Sequence, residues 1–396
     1  MRRIRRLLLV SFLESFATIC VERGIYFFTT ARLGFSEAGN LALAICFGLA
    51  YFVAAFASHP ITSRLGPGKV LRWSIVLVLL AHLALGGWMA MLLGRFGPGA
   101  DNILVFAVAT AIGALTGLKW PIIESYVSAG FTPSQTFQVV GRFSLSWAGA
   151  VPLAVALAGP MIALHASVLF LVPAVLNAAA LVLIRDLPGN PVHLPDDHPA
   201  RPDPARLKRM RTLLSVGRLQ LISSYCFMWI LAAIVPNILE DRFLLAVAVA
   251  TAVAAILEAS RLAAFVSLTR FGSFCDSIPA LLVVTVTLPI GFVVVLFAPN
   301  LPVLIVGEIV FGLSAGVIYY ASLYHALVVK NAAVSAGGAH EGLIGLGFAA
   351  GPIFALLGLS LPGVTKMTGL SLGVAAVTLP CLLLAGRKLL ALRTTR

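Results

Sequence analysis

A chain of 396 residues that is 60% hydrophobic and only 11% charged lies far below the roughly 25% charge of a soluble domain. Its mean hydropathy is +1.01, and apolar runs of about 18 residues or more mark an integral membrane protein. The net charge of +13 does not point to nucleic acid, because the basic residues sit at the ends of the apolar runs.

The chain opens with M-R-R-I-R-R-L-L-L-V, which has the form of a signal peptide. Glu14, Glu22 and Arg23 interrupt the apolar region that follows, and no A-x-A site comes after it, so an uncleaved first span is expected. Twelve spans are predicted in all. The first six cover 7–30, 37–58, 70–93, 102–126, 136–158 and 163–184, and the last six cover 213–236, 243–266, 278–298, 301–325, 340–360 and 367–386. Only helices satisfy backbone hydrogen bonds across lipid in runs of this length. Short connections carry Gly, Pro or Asn, as in Gly97-Pro98-Gly99 and Pro299-Asn300. The one long polar segment, Arg185 to Arg211, is too rich in proline and charge to bury a core. The predicted organisation is a bundle over 1–184, a linker over 185–212 and a second bundle over 213–396. The fold class is all-α, with twelve transmembrane helices in two pseudo-symmetric six-helix bundles. The five cysteines are scattered without metal-ligand spacing and read as small buried hydrophobes.

Lys and Arg collect on one side of these spans, which makes both termini and the linker cytoplasmic. Short loops suit a bacterial inner membrane. The halves also repeat. Ser63-Arg64-Leu65-Gly66 matches Thr269-Arg270-Phe271-Gly272, Gly113-x-x-x-Gly117 matches Gly312-x-x-x-Gly316, and Pro152 matches Pro352, at offsets of 206, 199 and 200 residues. Three ordered matches at nearly constant offset indicate an internal duplication.

With six plus six spans, cytoplasmic ends and a long middle loop, the sequence resembles the major facilitator superfamily over its whole length. The family's loop after span two runs Gly, three residues, Asp, Arg, any residue, Gly and two basic positions. Here Arg64 and Gly66 match, while His59 and Ser63 replace the Gly and the Asp, and Pro67 and Gly68 replace the basic residues. The Gly-Pro pair that the family's antiporters carry in span five is absent at Gly149-Ala150-Val151-Pro152, although span eleven has Gly351-Pro352. The resemblance implies a secondary transporter working by alternating access, with a central cavity lined by spans one, four, seven and ten.

Ionisable groups inside spans are costly and face a cavity or one another. Span one runs outward and span four inward, so Glu14 and Lys119 reach similar depth and a pair across the bundle is open to them. Arg142 in span five shares that level. The trio reads either as a polar gate or proton relay, or as a static ion pair that fixes helix register. Glu22 and Glu308 have no evident partner in apolar surroundings and are candidate proton carriers. Gln220 and Tyr225 on span seven and Tyr319 on span ten supply polar groups for a substrate path. Glu258 and Arg261, three residues apart, read as a local and partly interfacial pair. Arg64, Tyr324, His325 and Glu341 gather at the cytoplasmic ends of their spans as a candidate gate, or as hydrogen bonds that close helix ends. Trp120, Trp147 and Trp229 read either as packing, the commoner role, or as stacking surfaces along the path.

Gly312-Leu313-Ser314-Ala315-Gly316 fits G-x-S-x-G, but a nucleophile elbow needs a strand-to-helix turn and this motif lies inside a span. His340-Glu341 begins H-E-x-x-H, and Ile344 stands where the second His belongs. No ATPase motif is present. The sequence therefore predicts no enzyme, no cofactor and no metal, but a monomeric transporter of a small solute, coupled to protons and set in lipid. A non-transporting membrane sensor or scaffold is the alternative, motivated by the altered loop at His59 and Ser63.

Overall fold

The computed structural model describes residues 2–191, 203–270, 275–330 and 333–394, and these are helical with no strand among them. The first predicted span is two helices, α1 (Arg2–Glu22) and α2 (Gly24–Leu33), broken at Arg23. Each later span is one helix. They are α3 (Glu37–Leu65), α4 (Pro67–Met91), α5 (Pro98–Ser128), α6 (Pro133–Leu164) and α7 (Val168–Ile184), then α8 (Pro204–Asn237), α9 (Val247–Arg270), α10 (Ile278–Phe297), α11 (Leu301–Val329), α12 (Val334–Leu359) and α13 (Lys366–Thr394). Among the described residues, ten helical segments are long and apolar enough to cross a membrane, α7 is a shorter apolar helix, and the α1–α2 pair makes up the remaining span.

Short polar side chains start several of these helices. Ser36, Asp203, Ser277 and Asn300 each accept a bond from a backbone N–H of the first turn, and Thr132 with Gln135 forms a capping box. Such caps satisfy donors that no intrahelical partner reaches. The cap at Asp203 shortens the predicted linker, because α8 begins at Pro204 rather than near 213. The rest of the linker, residues 192–202, lies outside the described residues, as do Phe271 and Gly272 of the predicted repeat. Past Pro236, α8 runs into a π-helical turn, Ile238–Arg242.

The two repeated Gly-x-x-x-Gly motifs do the same work in the two halves. A Cβ at Gly113 would stand 2.7 Å from the Phe47 carbonyl oxygen, and one at Gly117 would collide with that of Tyr51. A Cβ at Gly312 would collide with the Leu257 carbonyl, and one at Gly316 would stand 2.9 Å from that of Arg261. Thus α5 meets α3 and α11 meets α9 backbone to backbone, as small residues allow in lipid. The equivalence also makes Tyr51 and Arg261 counterparts in the two halves. Gly117→Ala is expected to lower the melting temperature in detergent, with an overpacking cost of about 1–3 kcal/mol. Gly149 has open space around its Cβ position, so Gly149→Ala is expected to raise stability through helix propensity. Equal effects of the two substitutions would contradict this packing.

The first six spans meet the last six chiefly through α3 against α12 and α6 against α9. Both ends of the interface are closed. At the end bearing the termini, Tyr320 on α11 donates to the Phe137 carbonyl on α6 over 3.2 Å, and Gly338 lies against Ala55 and Ser58. At the opposite end, Asn40 on α3 donates to Asn237 on α8 over 3.2 Å, and Asn237 donates to the Phe35 carbonyl over 3.1 Å. Exposed side chains around the bundle, such as Val53, Trp73, Leu80, Val283 and Leu383, are apolar, as contact with lipid requires.

Candidate functional site

Between the closed ends lies a small central cavity, walled by both halves. The break in the first span supplies its most charged wall. Glu22 closes α1 and Arg23 stands in a non-helical conformation before α2, so both side chains reach the cavity. Arg23 donates to the Met228 carbonyl and to Glu258 Oε1, each over 3.1 Å, and lies 4.8 Å from the centre of the Trp229 ring. It thereby ties the first span to α8 and α9.

Glu258 also takes Arg261 at 3.5 Å. Both residues are buried at 4% exposure, which corrects the expectation of a partly interfacial pair. The spacing of three gave their shared face, but that face is turned to the cavity. The Arg261 guanidinium donates to the Tyr225 hydroxyl over 2.5 Å and sits 4.8 and 5.1 Å from the ring centres of Trp147 and Tyr319. An aromatic enclosure of this kind stabilises a desolvated cation. Trp229 stacks on Phe348 at 3.4 Å between centres. Trp120, Trp147, Tyr225 and Trp229 all line the cavity, and each also packs against a neighbouring ring in the bundle. The indole N–H groups of Trp147 and Trp229 have no hydrogen-bond partner.

Glu14 and Lys119 pair at 2.7 Å, and both are fully buried. Lys119 also donates to Thr18 over 3.0 Å, while Asn177 donates to the other Glu14 oxygen over 2.9 Å and meets His82 at 2.8 Å. This network ties α1, α4, α5 and α7 together just behind Thr18, which itself lines the cavity. Arg142 takes no part in it and is exposed. Position along a span fixes depth but not direction, and Arg142 points outward.

Gln220 also departs from expectation. Its amide donates to the Leu281 carbonyl over 3.0 Å and to Thr285 over 2.8 Å, so it joins α8 to α10 away from the cavity. Tyr225 and Tyr319 do line the cavity, as does Glu22. Glu308 is 1% exposed in a second, smaller cavity whose wall includes Arg23 and Glu258. One of its carboxyl oxygens has no hydrogen-bond partner. The Arg23–Glu258 pair is thus the partition between the two cavities.

The four expected gate residues separate. Arg64 is exposed at the end of α3. Tyr324 packs edge-on against Phe137 of α6 at 5.3 Å. His325 bonds Asp276 at 2.8 Å, which keeps it within the second half; that bond holds the Asp276 carboxyl below the usual carboxylate range. Glu341 lines the central cavity and accepts from the Tyr51 hydroxyl of α3. Sequence reasoning does not single out Tyr51 and Phe348, and it names Arg23, Glu258 and Arg261 without placing them on the cavity. For Arg23 the signal was the run Glu22-Arg23-Gly24, two charges and a helix-weakening glycine inside one span. Ser314 stands in the middle of α11, its hydroxyl bonded to the Val310 carbonyl at 2.8 Å and to Thr287 at 2.7 Å, not at a strand-to-helix turn.

No protein-family model matches the sequence, and no curated protein matches it either. Solved structures do. The human organic anion transporter MFSD10 (TETRAN) is 15% identical at a TM-score of 0.66, covering 98% of this chain and 99% of that one. The nucleoside transporter NupG is 14% identical at 0.67, over 98% and 99%. A bacterial homologue of the human lysosomal transporter Spinster, in an inward-facing and unoccupied conformation, is 12% identical at 0.66, over 98% of each chain. The chain therefore has the fold of these transporter structures, and it is a multi-pass membrane protein.

Proposed function

We propose that the chain is a secondary transporter that moves a small solute by alternating access, with its termini in the cytoplasm. The observation that carries this reading is a cavity closed at both ends, lined by both halves and crossed by the Arg23–Glu258 pair. A central site of this kind is what rocking of two repeats around a fixed point requires. The structural neighbours carry an organic anion or a nucleoside by name, and a cavity of indoles, phenols and two arginines suits a flat-ringed solute of that general type. The free indole N–H groups of Trp147 and Trp229 supply donors for it.

Protons are the proposed coupling ion. Glu22 faces the cavity and Glu308 lies in the adjoining one, so a carboxyl stands on either side of the Arg23–Glu258 partition. The test is solute movement in liposomes under an imposed pH gradient, with Glu22→Gln and Glu308→Gln. Loss of gradient-driven movement in one of them supports coupling there. Unchanged movement in both removes proton coupling, and no movement of any solute by the wild type favours the scaffold reading.

The closed ends give a second check. Asn40→Cys with Asn237→Cys places two thiols where the side chains now bond. Cross-linking this pair is expected to stop transport, and a reductant is expected to restore it. Full transport by the cross-linked protein would contradict alternating access.

A further inference from the structure

We propose that Glu124, His340 and Glu341 form a binding site for one divalent transition-metal cation that clamps the two halves together at the end bearing the termini. Glu124 lies on α5 in the first half, and the other two lie on α12 in the second. Each offers one ligand atom, and the three atoms lie within 4.8 Å of one another. The sequence set His340-Glu341 aside for want of a second His on the same helix. The third ligand comes instead from a different helix.

All three residues are buried, at 1%, 3% and 4% exposure. The Glu124 carboxyl lies against that of Glu341, no other donor reaches either of its oxygens, and Nε2 of His340 has no hydrogen-bond partner. Buried polar atoms in this number call for a partner. A proton shared by the two carboxyls would satisfy only their facing oxygens and leave the imidazole nitrogen orphaned. A cation takes one atom from each residue and balances two carboxylate charges. Donors on a single Zn²⁺ stand at most about 4 Å apart, so small side-chain rotations close the set. Imidazole with carboxylates selects Zn²⁺, Mn²⁺ or their relatives over Ca²⁺, which takes oxygen ligands.

The surroundings are built for this. A Cβ at position 337 would stand 2.7 Å from Glu124 Oε2, so only glycine there lets the carboxyl approach α12. The Tyr51 hydroxyl holds the Glu341 carboxyl, as outer-shell groups orient ligands at metal sites. Glu341 also lines the central cavity, so the site opens to the transport path whenever that cavity does. Tyr51 is therefore a positioning residue for the ion, and the site does not depend on the transported solute.

The experiment is titration of tag-free, metal-stripped full-length protein in detergent with Zn²⁺, read by calorimetry and melting temperature, and with Co²⁺, read by visible absorption. The expected result is one ion per chain, a saturable rise in melting temperature and a Co²⁺ band that differs from the free ion. Glu124→Gln and His340→Gln are expected to abolish all three signals, and Tyr51→Phe to weaken the affinity about 10-fold. His59→Gln, at an exposed position, is expected to change nothing. The proposal is overturned if the wild type shows no saturable Zn²⁺ binding, or if the binding survives in Glu124→Gln. It is overturned equally by binding lost in His59→Gln, or by stability that follows pH and ignores the metal. The Co²⁺ spectrum of the wild type decides even where a variant fails to fold, and solute movement enters none of these readouts.

Discussion

Lys119→Met is expected to cost the fold about 3–5 kcal/mol, the usual penalty for leaving one partner of a buried ion pair alone. Lys119 is fully buried and holds Glu14 at 2.7 Å and Thr18 at 3.0 Å. Methionine fills similar space but supplies no charge and no donor, so the Glu14 carboxylate would face an apolar interior with only Asn177 to meet it. The double variant Glu14→Gln with Lys119→Met removes both charges and is expected to recover most of the loss. Unfolding in detergent measures both. A Lys119→Met protein as stable as wild type would show that the pair does not hold these helices, and the coupling between the two substitutions reports the pair itself.

The second large effect falls on transport rather than stability. Arg23→Ala is expected to slow solute movement by at least about tenfold, the equivalent of about 1.4 kcal/mol in the barrier. The guanidinium bridges the break in the first span to Met228 on α8 and Glu258 on α9. Its removal cuts the main charged link across the cavity. The fold is expected to survive, because Glu258 keeps Arg261 at 3.5 Å. Charge reversal, Arg23→Glu with Glu258→Arg, is expected to restore part of the rate. Wild-type transport by Arg23→Ala would remove the bridge from the mechanism.

Depth in the membrane was legible in the sequence, and direction was not. Apolar run lengths placed every span, because lipid thickness imposes them. Counting residues from span ends placed Glu14 and Lys119 at one level, and they pair. The same counting put Arg142 at that level, yet it points outward, and membership of span seven set Gln220 on the path although it turns toward α10. In a soluble helix the polar face would reveal the direction. Here lipid and core are equally apolar, so periodicity carries little information about which face is inside. Glu258 and Arg261 illustrate this limit, since their spacing set their common face but not what that face meets. The break at Arg23 escaped for another reason: an apolar run of the right length reads as one helix whether or not the backbone is continuous.

The glycines of α12 deserve a mechanical interpretation. Gly337 lies against α5, Gly338, Gly342 and Gly345 against α3, Gly347 and Gly351 against α8, and Gly358 against α13. At each of these positions glycine lets a neighbour come closer than a Cβ would allow, while Phe348 on the same helix interlocks with rings of α3 and α8. Interdigitated side chains hold packed helices in discrete registers; smooth faces do not. Glycine therefore makes this helix the place where its neighbours crowd closest, and the rings around Phe348 are what any turning or sliding of the helix would first have to unmesh.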